Sequence, residues 1–470
     1  MGDQIGTDDQ QLLRTPKSKT ESLVARIEAM IASGQLKAGA RLPSIRRAAE
    51  QFLVSKNTVV EAYDRLVAAG LLLSKPGSGF EVIDRAGGKT GGTPRHVAEA
   101  IDIASLLTAQ LEENFAIRVG DGRPPASWME ESEVRRHLGQ FGRHRQTDDS
   151  GYGSAMGLLA LRECLSARFA EREIDAPADQ ILLTFGANHA LDLVIRRFVA
   201  PGDTVFVDDP GYYPLFAQLK LAQAQVVGIR RLPTGPDPED LEAKSQAGVP
   251  KLFFTQSLAH NPTGGSINIP TAHAVLSIAA RHGFLIVEDD PFADLPTVGK
   301  VRLTTLDQLN ILISIGTFAK TLSASLRCGY VAARPDLISS LTELKMLTTV
   351  NSSGYVEKLV CSLIEEGHYQ RHLKRLGSRI LQATERVVGK LERRGFRFFA
   401  EPSGGYYLYL ILPAGVDDIA LARDAAKAGI FIAPGSVFRA AHTDPQACIR
   451  VNIARADDDR FYEFLGKANY

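Results

Sequence analysis

Lys320 stands in Gly316-Thr317-Phe318-Ala319-Lys320-Thr321-Leu322, a small-residue loop behind the apolar run Ile311–Ile315, and Arg327 follows seven residues later. A lysine placed there can form a Schiff base with a carbonyl cofactor. A second group of chemically capable residues lies far away in the sequence. Lys56, Asn57 and Thr58 open a helical stretch, where a recognition helix meets base edges and phosphates. Arg46 lies in the preceding helical stretch, placed for a backbone or base contact. The two groups point to two different activities in one chain.

The elements that must position them follow from length and pattern. At 470 residues the chain is expected to hold two or more domains. Lys+Arg and Asp+Glu balance at 54 each, but residues 14–90 carry 13 basic against 7 acidic residues. A basic N-terminal segment on a neutral whole fits a nucleic-acid module joined to something else. The four cysteines form no C-x-x-C pair, so neither a metal site nor a disulfide framework is expected. Met1 to Thr15 is polar and lacks a signal-peptide core, and no apolar run is long enough to span a membrane, so a cytoplasmic location without membrane contact is expected.

Residues 1–18 read as a disordered N-terminus. Helical periodicity predicts helices over Glu21–Ser33, Ile45–Phe52 with Ser44 as N-cap, and Lys56–Ala69 capped by Ser55. Leu71–Leu73 and Phe80–Ile83, joined by a Gly-rich turn, predict a β-hairpin. Three helices and a hairpin make residues 19–83 a winged helix-turn-helix. Residues 84–115 read as a linker, with Gly87-Gly88-Lys89-Thr90-Gly91-Gly92 at its centre. From residue 116 apolar strands (180–184, 204–207, 225–229, 251–255, 284–287, 311–315) alternate with helical stretches, the signature of an α/β domain with a largely parallel sheet. This large part spans about 150–335. Long helices over Leu337–Leu347 and Val356–Arg394, then short strands, predict a smaller C-terminal α+β part over about 336–470.

The segment from Gly34 to Ala49, followed by Val54-Ser55-Lys56-Asn57-Thr58-Val59-Val60-Glu61-Ala62-Tyr63, resembles the GntR family of bacterial transcription regulators. The resemblance implies that Arg46, Lys56, Asn57, Thr58 and the wing glycine Gly77 touch double-stranded operator DNA. Lys56 stands where the family carries an arginine, and a lysine can contact phosphate without the bidentate fork.

Residues 116–470 resemble fold type I aminotransferases, which depend on pyridoxal 5′-phosphate. The motifs, in order, are Phe185-Gly186-Ala187-Asn188, Asp208-Asp209-Pro210-Gly211-Tyr212-Tyr213, His260-Asn261-Pro262-Thr263-Gly264, Val287-Glu288-Asp289-Asp290-Pro291-Phe292, the Lys320 loop and Ile449-Arg450-Val451-Asn452. The resemblance implies that Lys320 carries the cofactor and that Ala187, Asn188, Thr317 and Arg327 hold its phosphate. It implies an aromatic face from Tyr212, with Tyr213 the alternative, and a hydrogen bond from Asn261 to the phenolic oxygen. Asp289, preferred over Asp290, would pair with the pyridine nitrogen. Arg450, with Arg455 the alternative, would grip an α-carboxylate. Tyr152 matches a tyrosine that reaches the phosphate of the neighbouring subunit, which implies a homodimer. Phe292 replaces a family tyrosine, Ala319 a frequent serine, and Asn188 a longer glutamine.

A GntR-type reader fused to an aminotransferase-like domain is the architecture of the MocR subfamily. The resemblance implies a transcription regulator that senses an amino-acid-like compound, or pyridoxal phosphate itself. The alternative is a working aminotransferase with an attached DNA module. No metal is expected.

Overall fold

The computed structural model describes residues 19–32, 35–36, 39–68, 71–75, 79–82, 115–129, 133–141, 151–440 and 446–467. The expected disordered N-terminus, most of the expected linker, and Gly77 lie outside the described residues. The chain divides into two compact units, residues 1–93 and 94–470.

In the first unit, α1 (Lys19–Ala32), α2 (Ile45–Phe52) and α3 (Lys56–Ala68) precede the antiparallel hairpin β1 (Leu72–Lys75) and β2 (Gly79–Val82). Helical spacing brings Leu23, Ile27, Ala48, Val59, Ala62, Tyr63 and Leu66 onto facing stripes, and Leu72 and Val82 close the core from the hairpin. The Tyr63 ring meets Phe80 edge-on at 4.8 Å between centroids, and its hydroxyl donates to the Pro43 carbonyl at 3.0 Å. That bond ties α3 to the loop ahead of α2. Both expected caps are present: Ser44 Oγ accepts from Arg47 N, and Ser55 Oγ accepts from Thr58 N.

The second unit is built on an eight-stranded sheet. Its strands are β3 (Ile181–Thr184), β4 (Thr204–Asp209), β5 (Gln225–Leu232), β6 (Gly235–Pro236), β7 (Leu252–Thr255), β8 (Leu285–Asp290), β9 (Leu312–Thr317) and β10 (Gly329–Ala332), in the order β3-β10-β9-β8-β7-β4-β5-β6. Strands β5, β4, β7, β8 and β9 pair in parallel. Strand β10 runs antiparallel between β3 and β9, and β6 folds back on β5. Neither antiparallel strand was expected. Strands β3, β7, β9 and β10 are buried at every position, so they read as continuous apolar runs.

The C-terminal part carries a four-stranded sheet of β11 (Arg397–Phe398), β12 (Tyr407–Ile411), β13 (Ala433–Pro434) and β14 (Cys448–Asn452), ordered β11-β12-β14-β13. The long helix expected over 356–394 is two helices, Gly354–Glu365 and His368–Glu392. Gly367 between them lies at φ +70°, a left-handed conformation that stops the first helix.

A buried ionic knot fixes the ground beneath the Lys320 loop. Asp294 accepts from Arg168 Nε at 2.9 Å and from Tyr369 Oη at 2.7 Å, and it also pairs with Arg172. Thr321, next to Lys320, shares a 2.7 Å hydrogen bond with Tyr369. Burial alone would raise the Asp294 carboxyl, but the two guanidiniums and the tyrosine bring it down to about 2.

Candidate functional site: a cofactor pocket and a DNA-reading surface

In an open α/β sheet, side chains at the carboxyl ends of parallel strands converge on one edge. Here β3 leads into Gly186-Ala187, β4 into Tyr212, β7 into Gln256 and Asn261, β8 ends at Asp289-Asp290, and β9 ends at Thr317 just before Lys320. Ala187, Tyr212, Gln256, Asn261, Asp289, Thr317 and Lys320 line one cavity of about 480 Å³, together with Gly122, Arg123, Arg327, Tyr407 and Arg450.

At one end, the helix Ala187–Phe198 begins at the cavity. Its first amides, Ala187 and Asn188, have no partner within the helix, and its dipole favours an anion. Gly186 sits at φ +80°, and a Cβ there would come within 3.0 Å of the Arg327 guanidinium. Arg327 donates to the Phe185 carbonyl at 3.0 Å. The Thr317 hydroxyl donates to the Cys328 carbonyl and accepts from Ala319 N, both at 3.2 Å, so it also shapes the lysine loop.

In the middle, Asp289 Oδ2 accepts from Gln256 Nε2 at 2.8 Å, while its Oδ1 is buried with no hydrogen-bond partner. Burial pushes the Asp289 carboxyl up to about 7, although the Gln256 bond works the other way. Asp290 turns elsewhere: it pairs with Arg302 at 2.7 Å and does not line the cavity. The Tyr212 hydroxyl donates to Asn188 Oδ1 at 3.2 Å. Tyr213 also borders the cavity, but its ring packs edge-on against Phe438 within the core.

At the other end, Arg450 is 1% exposed and lies between Tyr407 and Phe438, with its guanidinium carbon 5.1 and 4.9 Å from their ring centroids. Its Nη1 donates to Asn261 Oδ1 at 2.9 Å, and its Nη2 to the Gly120 carbonyl at 2.6 Å. Arg455 is used otherwise, donating to the carbonyls of Arg123 and Pro124. Lys320 Nζ donates to the Gly122 carbonyl at 2.7 Å. Burial, then the positive Arg450, bring the lysine down to about 8. That shift leaves a larger neutral, nucleophilic fraction of the amine near neutral pH than an ordinary lysine has.

Several residues in and behind the pocket were not among those expected from the sequence. Gln256 links two expected residues, since its side chain donates to Asp289 and accepts from Asn261 N at 2.8 Å. Arg231, fully buried, holds the Gln256 carbonyl at 2.8 Å and pairs with Asp208 at 2.7 Å. Tyr407 stands opposite Asn452 in the β12–β14 register, two positions from the Tyr409–Arg450 pair. The two-residue alternation of a strand could have found it. Phe292 does not line the cavity: it is wholly buried, edge-on to Tyr406 and Tyr407. Tyr152 is 87% exposed and lies outside this chain's cavity.

On the other unit, Arg46, Lys56 and Asn57 are exposed and Thr58 half-buried. Arg46 faces Glu50 at 3.8 Å across a solvent-exposed helix turn. Thr58 shares a 2.8 Å hydrogen bond with Ser55 Oγ, so its hydroxyl also serves the cap.

The residues of the cavity fit pyridoxal 5′-phosphate. The partnerless Asp289 Oδ1 suits a ring N–H, and the glycine-opened helix start with Arg327 suits a phosphate. Fold and site together define a pyridoxal-phosphate domain of fold type I. Residues 115–467 match the family described as aminotransferase class I and II, and residues 19–82 match the bacterial regulatory proteins of the gntR family. The chain belongs to the aminotransferase class I and II family and carries a GntR-type DNA-binding domain ahead of it, the MocR arrangement of transcription regulators. It is 25% identical over 445 residues to the uncharacterized HTH-type transcriptional regulator YdfD of Bacillus subtilis, covering 92% of each chain. It is 28% identical over 427 residues to the probable rhizopine catabolism regulatory protein MocR of Rhizobium meliloti, covering 88% of this chain and 85% of that one. Its structure resembles kynurenine aminotransferase of Pyrococcus horikoshii, solved with PMP, with a TM-score of 0.70 and 26% identity over 77% of this chain and 92% of that one. Among the described residues, no helix is long and apolar enough to cross a membrane.

Proposed function

We propose that this regulator senses an amino compound through its aminotransferase-like domain, with pyridoxal phosphate held on Lys320, and alters operator binding by residues 19–83 in response. The observation that carries this reading is the convergence of Lys320, Asp289 and Arg450 on one cavity in a chain that also carries a DNA reader. When bound, the cofactor supplies an electrophilic carbonyl carbon and an electron-accepting ring.

The chain's residues then divide the work. The Ala187 and Asn188 amides, Thr317 and Arg327 hold the phosphate. Asp289 keeps the ring nitrogen protonated, and that cation in turn favours the charged carboxylate over the neutral acid. Tyr212 supplies an aromatic face, and Asn261 hydrogen-bonds the phenolic oxygen while steadying Arg450. Arg450 takes an α-carboxylate, and its planar fork suits a bidentate pair. Tyr152, exposed on this chain, is assigned to the phosphate of a partner subunit in a homodimer. Residues 84–115 act as linker between the two units, and the large and small parts of the second unit meet near residue 335. The location is cytoplasmic.

A second reading has a specific observation behind it. Lys320, Asp289 and Arg450 are all retained, the set that transamination requires, so weak turnover of amino and keto acids is expected. Titration of the loaded protein with amino acids tests the main reading, with the visible cofactor band and operator retention followed together. An amino acid that moves both supports it. A band that moves while DNA affinity stays fixed, with fast steady-state turnover, would establish the enzyme instead.

A further inference from the structure

The strap Ile117–Pro124 is the first stretch of the second unit after residues 94–114, and it is fastened to the C-terminal sheet along its length. Phe431 N donates to the Ile117 carbonyl at 2.8 Å, Gly120 N to the Phe431 carbonyl at 2.9 Å, and Asn452 N to the Val119 carbonyl at 2.7 Å. Asn452 Nδ2 donates to the Asp121 and Arg123 carbonyls at 2.8 and 3.0 Å. The fully buried Asp121 carboxylate pairs with Arg118 at 3.0 Å and Arg123 at 3.2 Å. Two strap carbonyls serve the pocket instead. Gly120 accepts from Arg450, and Gly122 accepts from both Lys320 and the Tyr407 hydroxyl, the latter at 2.8 Å.

We propose that Gly122 is a latch read by Lys320: the strap is fastened when the ε-amine is free and loosened when that nitrogen is bonded to the cofactor. The latch rests on the amine-effector reading above and names the element that responds. A free primary amine offers an N–H to the Gly122 carbonyl, the contact observed at 2.7 Å. Bonded to the cofactor carbon, the lysine nitrogen keeps at most one hydrogen and its direction is set by the ring. Gly122 then retains the tyrosine alone. When an effector's amine takes that carbon, a C–N bond to the effector forms and the one to Lys320 breaks. Two protons pass from the effector nitrogen to the lysine nitrogen, with no change of oxidation state. The ε-amine is restored and the strap closes again. The effector's carboxylate meets Arg450, which already holds Gly120, so both ends of the ligand bear on one short segment.

The chain carries its own reporter. Trp128, the single tryptophan, lies a few residues beyond the strap and edge-on to Tyr406 at 6.3 Å between centroids. The Tyr406 hydroxyl donates to the Lys320 carbonyl at 2.8 Å.

The test uses full-length protein loaded with pyridoxal phosphate and the standard amino acids as probes. The visible cofactor band reports binding; hydrogen exchange of residues 115–129 and Trp128 emission report the strap. An amino acid that moves the band is expected to slow strap exchange about threefold or more, the effect of one regained hydrogen bond, and to shift the emission. In Lys320→Ala the same amino acid should bind with no slowing, and Lys320→Met provides a second variant of closer volume. A moved band with unchanged strap exchange in the wild type overturns the latch while leaving the effector reading intact. Equal slowing in wild type and both variants also overturns it. If no amino acid moves the band, the effector reading falls and the latch falls with it.

Discussion

The two units place their chemistry in opposite ways. In the first, Arg46, Lys56 and Asn57 lie close together in sequence and are exposed, while a separate core, ten buried apolar residues among those described, holds the helices in place. In the second, the pocket draws on strand ends, a strap and a C-terminal strand spread from residue 122 to residue 450, and Asn261 and Arg450 are buried within it. A surface reader can therefore change its side chains without disturbing its core. In the pocket, by contrast, each reactive residue is also a packing or hydrogen-bonding partner of another.

The largest expected effect tests whether the two activities separate. Lys320→Ala should abolish the cofactor label that borohydride fixes on a Lys320 peptide, and DNA retention without effector should be unchanged. Mass spectrometry and gel retardation check the two halves. Loss of DNA binding along with the label would break the comparison.

Asp294→Asn probes how far the pocket depends on its buried support. It leaves Arg168 and Arg172 short of their shared anion, and a loss of about 3 kcal/mol is expected at neutral pH. The sign with pH is fixed by the direction of the shift. The folded carboxyl titrates at about 2, below its unfolded value, so its contribution is complete above the unfolded pKa of roughly 4 and is lost as pH falls from there toward 2. Denaturant titrations across that window should show a steeper acid limb in the wild type than in the variant.

A smaller effect is expected from Gln256→Leu. It removes the donor on Asp289 Oδ2 and the acceptor for Asn261 N, and cofactor affinity should fall about tenfold. Equilibrium titration of apo-protein with pyridoxal phosphate measures it. Smallest are the single changes on the exposed face. Lys56→Ala and Arg46→Ala should each weaken DNA binding and lower the salt slope of log affinity by about one, with the cofactor spectrum and thermal stability unmoved. A change in thermal stability from either would show that this face is less independent of its core than the structure implies.

The same contrast governs what could be read from the sequence. The first unit is local: caps, helical periods and a hairpin turn lie close together, and its three helices and hairpin were legible nearly to the residue. In the second, motifs at strand ends were legible because each is a short run with its own backbone logic. Asp289 and Arg450 line the cavity, and Asp290 and Arg455 do not. Gln256, Arg231 and Gly122 were not legible, since their importance arises mainly from contacts with residues distant in sequence, up to 285 positions away for Gly122 and Tyr407. Cys164 and Cys361, 197 positions apart, lie with sulfurs 3.8 Å from each other, a proximity that no spacing rule announces. The break at Gly367 was missed because helical periodicity continues on both sides of it, and a single left-handed residue leaves that pattern almost intact.

The hydroxyl of Tyr63, bound to the carbonyl of Pro43, closes a core whose buried apolar residues, among those described, run from Leu23 to Val82. A module complete in itself can be exchanged as a cassette. Recombination that joins residues 19–82 to a different sensing domain would carry the operator address with it. Conversely, if the pocket senses an effector as proposed, replacing them with another reader would redirect its response to a new promoter. The same self-sufficiency recommends the second unit, with its reactive lysine and single tryptophan, as the sensing half of a designed genetic reporter.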